Sequence, residues 1–255
     1  MSAKLFLLKE MVARDIRARY AGSALGVLWA FLHPILWMVL YTAVFSVVLR
    51  VPVERGFSTF PEFLMAGLLP WMAINEGIAR SSSALTDNAV VVKKAVFPLE
   101  TLVLSVVLAA VVNQLVAFSV FGAYVFFLGH FSAAWILLAL PALALQILLT
   151  YGFGCFAATV TAFVRDAGQA IGILLTIVFF ATPIVYPASL VPERYRPILE
   201  ANPIAHLAYW YRSAFTLHVM PDARSIVYLT AFSGLAAVLG GVLFWRARPH
   251  FADLI

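Results

Sequence analysis

Five rings, Trp29, His33, Trp37, Tyr41 and Phe45, recur at intervals of four inside a long apolar stretch. Each step of four advances about 40° around a helix of 3.6 residues per turn, so such a row drifts slowly along one side. The chemistry it offers is contact. Aromatic rings present flat apolar faces to aliphatic C–H groups, and Trp and Tyr add a polar edge. The same spacing also serves ordinary packing or lipid contact, with Trp29 and Phe45 as interface anchors. Asn75, Glu76 and Arg80 stand at helical spacing in a second apolar stretch, where Glu76 and Arg80 can pair at i,i+4. Asn113 and Gln114 lie in a third, where amides serve either helix–helix hydrogen bonding or contact with a polar ligand.

Catalysis needs converging ionisable groups, and none converge along this chain. HExxH, GxSxG and a phosphate-binding glycine loop are all missing, so the chain is not expected to hydrolyse ATP or to act as an enzyme. His33, His130, His206, His218 and His250 are scattered, and Cys155 stands alone, which excludes an intramolecular disulfide and a cysteine-based metal site. Glu76 and Glu100 are the carboxylates near the membrane interior, both toward span ends, which is poor support for ion-coupled transport. An external motor fits better.

The elements that hold these residues are membrane helices. Of 255 residues, 64% are hydrophobic and 11% charged, with a mean hydropathy of +0.98. A soluble domain has about 25% charged residues. Outer-membrane barrels alternate apolar and polar positions, whereas the apolar runs here are continuous. The expected fold is therefore all-α, one integral membrane domain over 1–255. Six spans are predicted near 27–49, 63–84, 99–128, 134–163, 168–186 and 225–245. The net charge of +5 invites nucleic acid as a partner, but the cations sit at span edges, where membrane topology explains them. An odd-numbered start inside gives the cytoplasmic side eleven cations and the outside six, which predicts both termini cytoplasmic. No small-residue cleavage pattern marks a removable signal.

Three segments outside the spans carry pattern. In residues 1–24, Leu5, Leu8, Val12, Ile16 and Tyr20 make a narrow apolar stripe, with Glu10, Arg14 and Arg17 opposite and Lys9 and Arg19 intruding. This reads as an amphipathic helix in the headgroup layer, or as a plain cationic flank to the first span. Residues 86–98, TDNAVVVKKAVFP, are too short and charged to span. Asp87 or Asn88 can cap a short helix there and Pro98 end it, giving a docking point for a soluble partner or an ordinary basic loop. Residues 187–224 are rich in proline and aromatics and are expected to form short helices in the outer interface.

Several of these stretches together resemble the permeases of polysaccharide-exporting ABC transporters, which move O-antigen, capsule or teichoic acid chains. The resemblance is carried in order by Arg14-Asp15-Ile16, Arg19-Tyr20, Ser23, Leu25-Gly26, Leu28-Trp29 and Pro34. It continues through Ala66 to Trp71, Asn88 with Val92-Lys93-Lys94 and Phe97-Pro98, and Phe163 with Arg165-Asp166 and Gln169. It ends with Thr182-Pro183-Ile184 and Tyr186, Val191-Pro192-Glu193, Asn202-Pro203 and Phe251-Ala252-Asp253. His33 departs from it, standing where related permeases often carry Asn before the proline. The resemblance implies an inner-membrane homodimer served by two copies of a separate cytoplasmic ATPase. That partner would bind ATP and Mg, so this chain would need no cofactor. Arg14, Asp15, Arg17, Arg19, Lys93, Lys94 and Phe97 would touch the ATPase. A lipid-linked polysaccharide would pass between the protomers along Trp29, His33, Trp37, Tyr41 and Phe45. Two other classes remain open from the sequence: a permease for a drug or simple lipid, and a membrane-embedded enzyme of glycan assembly.

Overall fold

The computed structural model describes residues 3–53, 56–94 and 98–254, and every regular element among them is helical. Helix α1 (Ala3–Tyr20) stops at a break over 21–25. One 3₁₀ turn (Gly26–Leu28), helix α2 (Trp29–Tyr41) and a π-helical stretch (Thr42–Val48) then form one continuous rod. Helix α3 (Phe60–Ser83) begins at a capping box. Glu62 N–H donates to the Thr59 hydroxyl, while the Glu62 carboxylate accepts from Thr59 N–H. Next come α4 (Ala89–Lys94), α5 (Glu100–Phe127), α6 (Ala134–Phe163) and α7 (Ala167–Ala181). Short helices α8 (Arg196–Glu200) and α9 (Pro203–Arg212) precede α10 (Ala223–Ala247) and the terminal turn α11 (Phe251–Leu254). Asp222 caps α10 by accepting from Ser225 N–H at 3.0 Å.

Gly26–Val48, α5, α6 and Ala223–Leu254 are each long and apolar enough to cross a bilayer, so the chain is a multi-pass membrane protein. Helices also occupy the other two expected places. α3 has 24 residues but carries Glu62, Glu76 and Arg80. α7 has 15, about 22 Å at 1.5 Å per residue, and stops where Thr182-Pro183 turns the chain, short of the 186 expected.

α6 packs along α10, and α3 lies across α5 and α6. The α6–α10 seam is made of backbone. A Cβ placed on Gly240 would overlap the Gly152 carbonyl, and one on Gly152 would overlap the Ala236 carbonyl. Such close approach is how small residues bring membrane helices together. A second apolar cluster joins Leu7 and Met11 of α1, Leu85, Val92 of α4, Leu99 and Leu102, Phe244 and Phe251. The N-terminal helix, the segment after α3 and the C-terminal turn therefore meet at one end of the bundle, hereafter the α1 end.

The segment 187–224 forms short helices as expected, but their aromatics do not all stay at a headgroup layer. Tyr195 and Tyr209 are exposed, whereas Trp210 and Tyr211 are buried. α9 turns one face inward because its apolar residues recur at helical spacing, Ile204, Leu207, Ala208 and Tyr211. The Tyr211 hydroxyl donates to Gln146 Oε1 at 2.7 Å, and Trp210 Nε1 donates to the Leu138 carbonyl at 3.1 Å.

Candidate functional site

A cavity of about 940 Å³ lies between α1, α2, α3, α5 and α7. The rows of the sequence explain its walls. A step of four keeps the α2 rings on one side, and that side faces in. Trp29, His33, Trp37 and Tyr41 all line the space. The rings run in series: His33 to Trp37 at 6.2 Å, Trp37 to Tyr41 at 5.3 Å and Tyr41 to Phe45 at 5.9 Å between centroids. Phe45 continues the row beyond the cavity lining, stacked on Tyr41. Pro34 is buried in the same wall, where its missing N–H removes one helix bond.

Two rings that sequence reasoning did not include complete this wall. Trp71 of α3 and Phe179 of α7 line the cavity 5.7 Å apart, and Phe179 lies 6.2 Å from Tyr41. Neither sits at a spacing that links it to the α2 row. Only the approach of α3 and α7 makes them part of it.

The α1 end of the cavity is polar. On α1 the positions turned toward the bundle are Leu7, Met11, Asp15 and Arg19, again four apart. The Arg80 guanidinium holds Asp15 bidentately, one bond being Nη1 to Oδ2 at 2.7 Å. Arg19 holds Glu76 in the same way, with Nη1 to Oε2 at 3.0 Å. Arg80 also lies 3.6 Å from Glu76, the i,i+4 pair anticipated from spacing. Asn113, with its amide oxygen turned toward Arg19, accepts from that guanidinium. These side chains are 17% to 38% exposed, so water reaches them, yet each charge has an opposite one beside it. A lone charge at such depth would be costly, while a fork-to-fork guanidinium–carboxylate pair offsets much of that.

Behind the cavity, amides rather than charges close the wall. Gln114 and Gln146 exchange hydrogen bonds of 3.1 and 2.6 Å, and Gln146 also accepts from Tyr211. Gln114 thus faces the cavity while anchored to α6 and, through Gln146, to α9.

The residues expected to meet a soluble partner divide. Arg14 and Arg17 face outward, Arg14 donating to Asn88 Oδ1 at 3.1 Å and Arg17 lying 3.9 Å from Glu10. Asp15 and Arg19 point into the bundle instead. Arg19, which looked like a flaw in the apolar stripe, is aimed at Glu76. Lys93 is exposed on α4 next to buried Val92. Phe97 and the Lys94 side chain lie outside the described residues. Asn88 and Asp87 use their side chains elsewhere than expected of a cap: the Asn88 amide donates to the Ala84 carbonyl at 2.9 Å, and Asp87 accepts from the Ser83 hydroxyl at 2.7 Å.

The fold and cavity define a multi-pass helical membrane protein with an aromatic and amide-lined interior space. Residues 7–216 match the family described as ABC-2 type transporter, and the chain belongs to that family. It is similar to the O-antigen export system permease protein RfbA of Myxococcus xanthus, 32% identical over 251 residues that cover 98% of this chain and 95% of that one. A protein of the same name from Klebsiella pneumoniae is 29% identical over 98% of this chain and 95% of its own length. The polysialic acid transport protein KpsM of Escherichia coli is 25% identical over 95% of this chain and 93% of its own.

Proposed function

We propose that this chain is the transmembrane subunit of an ATP-driven exporter of a lipid-linked polysaccharide, of the O-antigen or capsule type. It crosses the cytoplasmic (inner) membrane six times, with both termini and α4 on the cytoplasmic side. α3 spans because residues 63–75 are uncharged and the charges that follow, Glu76 and Arg80, are paired with Arg19 and Asp15. α7 reaches across with the help of the turn at Thr182–Tyr186. Two copies meet to form the path, and two copies of a separate ATPase bind ATP and Mg below. Arg14, Arg17, Lys93, Lys94 and Phe97 meet that partner.

The observation that carries this reading is the cavity. Its lining of Trp29, Trp37, Tyr41, Trp71 and Phe179, with Asn75, Asn113 and Gln114 between, suits a hydrated glycan that must slide. Ring faces bind sugar C–H groups without fixing a register, and amides exchange hydrogen bonds with hydroxyls. The largely exposed apolar surface of Gly26–Val48 supports contact with lipid or a second copy.

The test is surface polysaccharide in cells carrying Trp37→Ala with Tyr41→Ala, at matched permease levels. Export should fall severalfold while assembly with the ATPase and basal ATP turnover persist. Normal export from the double variant refutes the path.

A further inference from the structure

We propose that α1 is a gate across the mouth of the cavity at its own end, held shut by ion pairs that exchange partners when it swings away. The proposal concerns regulation of the cavity and rests on its being a path.

Three observations carry it. First, Asp15, Ala18 and Arg19 of α1 form part of the cavity wall, so moving α1 opens the space to the α1 end. Second, α1 is joined to the next helix by a non-helical break over 21–25. Gly22 in the break and Gly26, which opens the following 3₁₀ turn, hold φ of +76° and +49°, with no atom within 4 Å of where a Cβ would stand. Glycine adopts such angles at little cost, and the free space lets the joint turn. Third, the four charges can pair in two ways. In the structure the closest bonds run between helices, Asp15 with Arg80 and Arg19 with Glu76, while Arg80 also lies 3.6 Å from Glu76 on its own helix. Asp15 and Arg19 are themselves i,i+4 on α1, as Glu76 and Arg80 are on α3. Both same-helix pairs place the acid N-terminal to the base, the favoured order. When α1 leaves, α3 keeps its own pair and α1 closes Asp15 on Arg19, so no charge is abandoned in either state. A bistable set of contacts of this kind switches rather than deforms.

The gate also has a handle. Arg14 bonds Asn88 at 3.1 Å, and Met11 packs in one cluster with Val92 of α4. A push on Asn88 and α4 from the α1 end is thus delivered to the helix that carries Asp15 and Arg19.

The test separates the two pairings by charge reversal. The parent is the full chain with Cys155→Ala and His33→Cys, which places a single thiol on the cavity wall. Its labelling rate by a charged, membrane-impermeant maleimide is measured in inside-out vesicles. Asp15→Arg with Arg80→Asp keeps one attraction between helices at each pair but makes both same-helix pairs repulsive. It should slow labelling ~tenfold by favouring the closed state. Asp15→Arg with Arg19→Asp keeps the same-helix pairs and makes both inter-helix pairs repulsive. It should speed labelling ~tenfold. Reversing all four charges restores both pairings and should return the parent rate within about twofold. Should that variant not fold, Arg19→Gln with Glu76→Gln serves: it keeps the Asp15–Arg80 pair between helices and takes a partner from each same-helix pair, so it should label more slowly than the parent. Equal rates in all variants, or shifts of the same sign in the two double reversals, overturn the gate. Labelling needs neither glycan nor ATPase. Failure of the path reading appears instead as normal export from the Trp37 and Tyr41 variant with the labelling shifts intact.

Discussion

The α6–α10 seam and the α1–α2 side of the cavity solve the same problem in opposite ways. At the seam, Gly152 and Gly240 bring two backbones into direct contact, and no side chain separates them. On the other side, the Gly26–Val48 rod is barely buried at all, 6% of its most apolar window, and meets α3 and α5 across a cavity. Lipid tails are as apolar as leucine, so burying apolar surface gives little drive for helices to associate in a bilayer. Close van der Waals contact and hydrogen bonds must hold them. The seam has the first, and the Gln114–Gln146–Tyr211 set behind the cavity has the second. The α1–α2 side has ring stacking and partly hydrated ion pairs, which break and re-form more readily. One half of the bundle is held by close backbone contact and the other by contacts that exchange more readily.

Substitutions that fill, strip or loosen each side should rank accordingly. Gly240→Leu should have the largest effect. Its side chain has nowhere to go but into Gly152, so folded protein should be lost altogether, read as the monodisperse peak of a fluorescent fusion on size exclusion. Survival of that peak would mean the seam can open. Arg212→Ala comes next. Buried Arg212 donates to the Pro183 and Ile184 carbonyls, each at 2.7 Å, and lies 3.8 Å over the Phe63 ring, fixing the turn after α7 against α3. Losing it should cost on the order of 3 kcal/mol, seen as a lower Tm in detergent. Gln146→Leu should cost less, about 1–2 kcal/mol, because it leaves the Tyr211 hydroxyl and one Gln114 amide unsatisfied without opening the seam. Trp37→Ala should cost least, roughly 1 kcal/mol or below, since that ring borders empty space. A Tm loss at Trp37 as large as that at Arg212 would make the ring row a packing element and erase the contrast.

Much of the helical framework can be read from the chain. Continuous apolar runs place a helix at each expected position, although α3 starts at Phe60, before the expected 63, behind the Thr59–Glu62 capping box. The ring row on α2 is also legible, because a step of four is a local property of one helix and survives folding unchanged. Two placements escape the sequence for one reason. Arg19 intrudes on the apolar stripe of α1, and Trp210 and Tyr211 fall in a segment expected at the outer interface. In each case the residue is polar or amphipathic, and its environment is set by a partner distant in sequence: Glu76 for Arg19, Leu138 and Gln146 for the two aromatics.

What the amino-acid sequence determined by itself is the class of solvent this protein lives in, the positions of its helices and the side of α2 that carries rings. These follow from hydropathy and from a period of 3.6, both of which act along the chain. The tertiary structure alone decided which helix faces close the cavity, that Trp71 and Phe179 join the α2 rings, and that Asp15 and Arg19 turn inward to Arg80 and Glu76. Those outcomes depend on crossing helices tens of residues apart. A four-residue period marks a face but carries nothing about which other face it will meet.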